Sequence, residues 1–247
     1  TDPNKDQSYF LCQLSQQQLE GVLFPVGHLT KPEVRKIAAE LNLPTAQRKD
    51  SQGICFVGKV DLPVFLQQQL SPRQGDIIEI PAGFPYPLPI ESTPESLSRY
   101  YHHRPTDGFV TGTHNGAQYY TIGQRKGLNV GGKKEPLFVL ETDVENNIVY
   151  TGQGQSHPGL YRRGLFIPSA DLHWIRPGTA LLPGQDARMR LRIRYRQPLQ
   201  NGSLWMRPEG LYIVFDHPQR GITPGQFAAW YDGEELLGSG EIGKDRW

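Results

Sequence analysis

The chain is poor in sulfur. Its 247 residues include two cysteines and two methionines. Two cysteines over this length make no disulfide framework, which points to a reducing compartment, the cytoplasm. An excess of one charge is also lacking. Twenty-six Lys and Arg against 25 Asp and Glu leave a formal +1, so no global field steers the protein to nucleic acid, and any such binding must come from local patches. No apolar run approaches the roughly 20 residues of a membrane-spanning helix, no signal-peptide pattern is present, and there is no internal repeat. The seven histidines show no ligand spacing with cysteine, so no metal site is expected. The chain opens at Thr1 without an initiator Met, which reads as a piece of a longer protein.

Turn formers are plentiful. With 27 Gly, 21 Pro and 10% aromatic residues, the composition suits short strands joined by many turns. The expected class is α+β and mostly β, in three parts: a helical segment over 1–60, a small β-rich central domain over 61–153, and a C-terminal β-barrel over 154–247. In the first part Ser15 caps a short helix through Leu19. Thr30 and Glu33 form a capping box, with Pro32 in the first turn, for a helix reaching Asn42. Val34, Ile37, Ala38 and Leu41 fall on one face of that helix. A further helix is expected over Asp61–Leu70. Beyond it, Gly75–Ile80, Ala117–Ile122, Leu137–Thr142 and Ile148–Thr151 read as strands, with a tight turn at Asn146-Asn147. Pro81–Pro105 reads as an irregular surface excursion.

Three stretches could carry chemistry. Cys55 follows Arg48, Lys49, Asp50 and Gly53; nearby cations favour a thiolate, whereas Ile54 and Phe56 suit a small buried hydrophobe. Arg188, Arg190, Arg192, Arg194 and Arg196 alternate with Met189, Leu191, Ile193 and Tyr195. One strand over the whole run would put five cations on one face, either paired with acids across the sheet or facing an anionic polymer. Thr121 to Lys134 interleaves glycines with cations but lacks the spacing of a P-loop. It reads either as a phosphate-approaching loop or as a hairpin with exposed charges. Near the start, Asp6 or Ser8 can cap a helix, and Cys12 sits in an apolar setting as inert packing.

In this order, Asn4-Lys5-Asp6-Gln7-Ser8-Tyr9-Phe10-Leu11, Lys49-Asp50-Ser51-Gln52-Gly53-Ile54-Cys55-Phe56, Thr121-Ile122-Gly123-Gln124-Arg125-Lys126-Gly127, Arg194-Tyr195-Arg196-Gln197 and Thr223-Pro224-Gly225-Gln226 resemble the tRNA-specific 2-thiouridylases, the MnmA/TrmU family. The resemblance implies an ATP-dependent sulfurtransferase that replaces O2 of a wobble uridine with sulfur. AMP is a good leaving group where the bare carbonyl oxygen is not. Sulfur is delivered as a cysteine persulfide received from a sulfur-carrier protein, and a second cysteine assists release by thiol exchange. By the same resemblance Cys55 bears the persulfide, and Lys5, Asp6, Gln7, Arg194, Tyr195 and Gln226 contact tRNA. The first part then corresponds to the end of a PP-loop ATP pyrophosphatase domain. The glycine-rich SGGxDS-type loop that holds ATP, the partner cysteine and the acid expected near the target base are not in this sequence, so ATP belongs to a preceding part. A tRNA-binding module without catalysis is the alternative reading. The excursion at Pro81–Pro105 is longer than the family's usual linker.

Overall fold

A computed structural model describes residues 2, 4–48, 58, 62–86 and 91–244. The first part holds a 3-10 turn at Ser8–Leu11 and helices α1 (Gln16–Leu19) and α2 (Lys31–Glu40), and helix α3 (Leu62–Gln67) opens the central part. Both caps form as the sequence suggests. Ser15 Oγ accepts from the Gln18 amide at 3.2 Å while Gln18 Oε1 accepts from the Ser15 amide at 2.8 Å. Glu33 Oε2 accepts from the Thr30 amide at 2.6 Å. Among the described residues the apolar stripe of α2 meets no core: no residue of the helix is buried, and Ile37, Leu41 and the nearby Leu23 and Phe24 are exposed.

The central part holds β1 (Gly75–Glu79), the short helix α4 (Pro94–Leu97), β2 (Phe109–His114), β3 (Leu137–Asp143) and β4 (Ile148–Gln153). The strands form a four-stranded sheet in the order β2-β1-β4-β3. β1 runs parallel to β4, and the other pairs are antiparallel. Strand periodicity sends Ile77, Val139 and Val149 to one face, under Ala117 and Leu128, and sends Ile78, Phe138, Leu140 and Tyr150 to the other, against Leu160. Covering both faces explains why these strands read as apolar runs rather than as alternation.

One expected strand is absent. Ala117–Tyr119 is a 3-10 turn, and β2, which the sequence reading missed, takes the place beside β1. Asn147 dictates the turn: its Oδ1 accepts from the Ala117 amide at 3.0 Å and its Nδ2 donates to the Gln74 carbonyl at 2.9 Å. Asn147 itself lies at φ 58 in the Asn146-Asn147 turn between β3 and β4.

The last part holds β5 (Tyr161–Pro168), β6 (Leu172–Trp174), β7 (Asp186–Arg192), β8 (Gln200–Arg207), β9 (Gly210–Arg220), β10 (Phe227–Asp232) and β11 (Glu235–Glu241). They form one sheet in the order β5-β9-β8-β7-β10-β11-β6. It curls until the chain leaving β11 meets β5, where Gly243 donates to the Phe166 carbonyl at 2.9 Å. Leu165, Ile167, Leu191, Leu204, Ile213, Phe215 and Trp230 fill the interior. At about 25 cal/mol per Å² of apolar surface removed from water, this core is the main support of the C-terminal part.

The stretch Pro81–Pro105 is no loose excursion in its described residues. On its central side, Tyr86 Oη lies 3.1 Å from His103 Nε2, and His103 Nδ1 lies 2.8 Å from Glu141 Oε2. On its barrel side, Thr93 caps α4, Glu95 accepts from Arg207 Nε at 2.9 Å, and Ser98 Oγ hydrogen-bonds the carbonyls of Pro94 and Leu165. Residues 91–104 thus form a strap that ties the central sheet to the barrel. Gly164 of β5 lets the strap approach. A Cβ there would lie 2.6 Å from Ser98 Oγ and 2.8 Å from the Leu97 carbonyl oxygen, which as backbone cannot rotate away. Gly164→Ala should therefore cost about 1–3 kcal/mol by overpacking and expose the strap to protease. An unchanged melting temperature together with wild-type cleavage between residues 91 and 104 would show that the strap is not seated there.

Candidate nucleic-acid interface

Six of the residues singled out by sequence, Lys5, Asp6, Gln7, Arg194, Tyr195 and Gln226, are linked through the N-terminal segment. Asp6 Oδ1 accepts from the Ser8 amide at 2.9 Å, which starts the 3-10 turn, and its Oδ2 accepts from Arg192 Nη1 at 2.9 Å. Ser8 Oγ lies 3.1 Å from Tyr231 Oη. Tyr9 reaches furthest. Its hydroxyl donates to the Phe227 carbonyl at 2.8 Å and lies 3.2 Å from that of Ile193. One phenol therefore gathers three stretches far apart in sequence: Lys5-Asp6-Gln7, Arg194-Tyr195 and Gln226. Burial first, and then the neighbouring Cys12, push the Tyr9 pKa up to about 12, so it stays a neutral donor at any physiological pH. Sequence reasoning missed Tyr9. The only available signal was a polar-tipped aromatic inside an otherwise apolar run.

Around this hub the candidates differ in setting. Gln7 is exposed, Lys5 and Gln226 are half-buried, and Gln226 belongs to the turn in which its amide meets the Thr223 carbonyl. Tyr195 packs its ring 4.5 Å from that of Phe10, and its buried hydroxyl has no hydrogen-bond partner among the described residues. Arg194 is exposed as a residue, yet its guanidinium turns back and donates to the Gly221 carbonyl at 2.7 Å. Burial and then the charge of Arg220 lower its proton affinity. Gly221 lies at φ 63, where a Cβ would stand 2.4 Å from Arg194 Nη2 and 3.5 Å from the Ile122 carbonyl oxygen. That close approach puts the glycine-rich loop of the central part against the barrel at Arg194. The loop carries exposed Arg125 and Lys126 and is wound by Gln124, whose Nε2 donates to the Lys126 carbonyl at 2.8 Å.

The five-arginine stripe does not lie on one strand. β7 ends at Arg192, Gln197 Oε1 accepts from the Ile193 amide at 3.0 Å, and Arg196 sits at φ 67. Neighbours disperse the charges: Arg188 pairs with Asp216 at 2.6 Å, Arg192 is buried on Asp6, and Arg194 turns to Gly221. Cys12 is buried among Tyr9, Ala229 and Tyr231. Its carbonyl accepts from Ser239 Oγ at 2.7 Å, and burial raises the thiol pKa, so it is packing, as the sequence suggests. Cys55 and Lys49 lie outside the described residues, and Arg48 is exposed in a turn closed by the Thr45 carbonyl. Among the described residues no group of three His, Cys, Asp or Glu could hold a metal ion, and no helix is long and apolar enough to cross a membrane.

The three parts match three family models in the same order. Residues 1–59 match the tRNA methyl transferase HUP domain, 102–153 the tRNA methyl transferase PRC-barrel domain, and 167–242 the aminomethyltransferase beta-barrel domain. Relatives extend the likeness over nearly the whole chain. The tRNA-specific 2-thiouridylase MnmA of Christiangramia forsetii is 56% identical over 248 residues, that of Flavobacterium johnsoniae 53% over 248, and that of Halalkalibacterium halodurans 43% over 242. Each alignment takes in 98% of this chain and 63%, 63% and 57% of the relative, respectively. The chain thus spans about three fifths of the length of the curated relatives it matches. A HUP segment, a PRC-barrel and a beta-barrel thus follow one another along the chain. The chain belongs to the tRNA-specific 2-thiouridylase family.

The Asp6–Arg192 pair has a definite pH signature. Burial opposes the Asp6 charge, but hydrogen bonds from Ser8 and the Arg192 guanidinium outweigh it and hold the carboxyl below its ordinary value of 3.8. A depressed carboxylate pKa contributes stability that is present above the unfolded value and lost as pH falls through the folded one. Asp6→Asn should therefore melt at lower temperature than wild type at neutral pH, and the gap should close on acidification below pH 3.8. A gap that stays constant with pH would show that the pair does not hold the segment.

Proposed function

We propose that the protein acts in tRNA 2-thiolation, converting a wobble uridine to 2-thiouridine. The supporting observation is the gathering of Lys5-Asp6-Gln7, Arg194-Tyr195 and Gln226 around Tyr9 in a chain of this family. Those residues make the tRNA surface. Asp6 takes part as a positioning residue, because its carboxylate is engaged by Arg192 and Ser8. The division is a catalytic-domain segment over 1–60, a central β-rich domain over 61–153 and a barrel over 154–247. The work takes place in the cytoplasm.

Cys55 carries the transferred sulfur as a persulfide received from a sulfur-carrier protein. Its terminal sulfur attacks C2 of the activated uridine, and the activating group leaves with the C2 oxygen. A second thiol then attacks the Cys55 sulfur. The S–S bond breaks, the transferred sulfur keeps the electron pair, and Cys55 ends in a disulfide. Cys12 is not that second thiol, because it is sealed in the barrel seam with its pKa raised. The family's HUP domain supports the use of ATP. The sequence contains no SGGxDS-type loop, so no ATP step is assigned to its residues.

The competing reading is a tRNA-binding module without catalysis. Cys55→Ser, placed in the protein with its whole HUP domain, separates the two. It should keep tRNA affinity and lose 2-thiouridine formation, read by mass spectrometry of nucleosides from the treated tRNA. Thiolation at the wild-type rate would remove Cys55 from the reaction.

A further inference from the structure

We propose that the strap and β5 build a second RNA-contact cleft, continuous with the groove at Arg194-Tyr195, which takes an unpaired stretch of the tRNA. The proposal rests on the tRNA reading above and extends it to residues that reading does not use.

A cleft of about 880 Å³ lies between the strap and the barrel. Its walls carry flat rings, Tyr100 and Tyr101 from the strap and Tyr161 from β5, against Pro158 and Pro218. Its cations come from both sides. Arg99 on the strap and Arg163 on β5 are exposed. Between them Arg162 is buried, with its guanidinium carbon 3.4 Å from the centre of the Tyr100 ring. Arg162 Nη2 donates to the Ile222 carbonyl, and its buried Nη1 has no partner among the described residues. Of the two acids at the cleft, Glu95 is taken up by Arg207, which leaves Glu91 exposed at the lip. The cleft thus has an excess of positive charge.

A second groove of about 700 Å³ shares Tyr161 and Pro218 with the first and is lined by Arg194, Tyr195, Arg196 and Arg220. The two form one path of arginines and aromatic rings along the barrel. A polymer with regularly spaced phosphates and flat bases fits such a path, because guanidinium groups hold phosphate and aromatic faces stack bases. An acidic peptide would satisfy the charges but leave the rings unstacked, and a mononucleotide would fill one cleft without spanning both. The family models stop at residue 59 and resume at residue 102. The strap lies almost wholly between them.

The test measures affinity for unfractionated tRNA across a salt series, with the wild-type protein, Arg99→Glu/Arg163→Glu and Arg194→Glu. Loss of two phosphate contacts on a single strand should flatten the slope of log affinity against log salt by about 1.4, with affinity at low salt reduced at least about tenfold. Melting should be unchanged, because both side chains are exposed. Should charge reversal lower the melting temperature, Arg99→Gln/Arg163→Gln carries the same comparison. Wild-type affinity and slope in the double variant, with binding weakened by Arg194→Glu, would overturn the second cleft and leave the tRNA reading standing. A wild-type protein that binds no tRNA at any salt would bring down that reading and the cleft with it.

Discussion

The arrangement depends on the anchoring of one short segment, residues 6–14, to the barrel. Tyr9 and Asp6 place the N-terminal part against β7 and β10. Gln13 donates to Ser239 Oγ at 2.6 Å, and His173 Nε2 lies 2.9 Å from the Leu14 carbonyl. The two Tyr9 bonds satisfy carbonyls just past the end of β7 and at the start of β10, so losing them would leave part-buried acceptors unpaired. Removing one partner of the half-buried Asp6–Arg192 pair would strand the other, which makes the pair a better specifier of position than a source of stability. Cys12 belongs to the same anchor. Its burial, which deprives it of thiol chemistry, seals the seam between the N-terminal segment and the barrel.

The strap solves a second positional problem. The central sheet and the barrel each have their own core, and two such units joined by a short connection are free to move relative to each other unless something fixes them. Here the fixing is polar and specific. Glu141 holds His102 and His103, Arg207 holds Glu95, and Arg220 lies 4.5 Å from the centre of the Phe138 ring across the seam. A surface made of residues from both units keeps its shape only if their orientation is set. The glycine-rich loop can therefore meet Arg194 reproducibly, because the strap and Gly221 together set the distance between the units.

The limits of the sequence reading follow from what each residue answers to. Caps and turns were legible because they are local: Ser15 with Gln18, Thr30 with Glu33, and Asn146 with Asp143 act within four residues. Apolar runs marked β1, β3 and β4, since burial on both faces leaves little choice of residue. Ala117–Ile122 misled because its aromatics imitate a strand, whereas the decisive group, the Asn147 side chain, sits about 30 residues away in sequence. The arginine stripe misled in a related way. Alternation continued past Arg192, but Gln197 closes a turn on Ile193 and sends the later arginines elsewhere. The candidate contact residues came from family resemblance, but their convergence could not be read from it, because Tyr9 looks like any other aromatic until its two carbonyl partners are known.

A net charge of +1 sets no global field, so the distribution of charge matters more than the total. Acids neutralise arginines where the fold needs rigidity: Asp6 on Arg192, Asp216 on Arg188 and Glu95 on Arg207. What remains along the barrel groove is Arg194, Arg196 and Arg220, without an acidic partner among the described residues. Buried guanidinium nitrogens of Arg162, Arg192 and Arg220 have no acceptor among the described residues. Desolvating a cation without a partner costs free energy in the isolated protein, and the proposed RNA contact would offset part of that cost. Acids thus meet arginines at Asp6–Arg192, Asp216–Arg188 and Glu95–Arg207, whereas the groove arginines are held by backbone carbonyls and rings, as Arg194 is by Gly221 and Arg220 by Phe138.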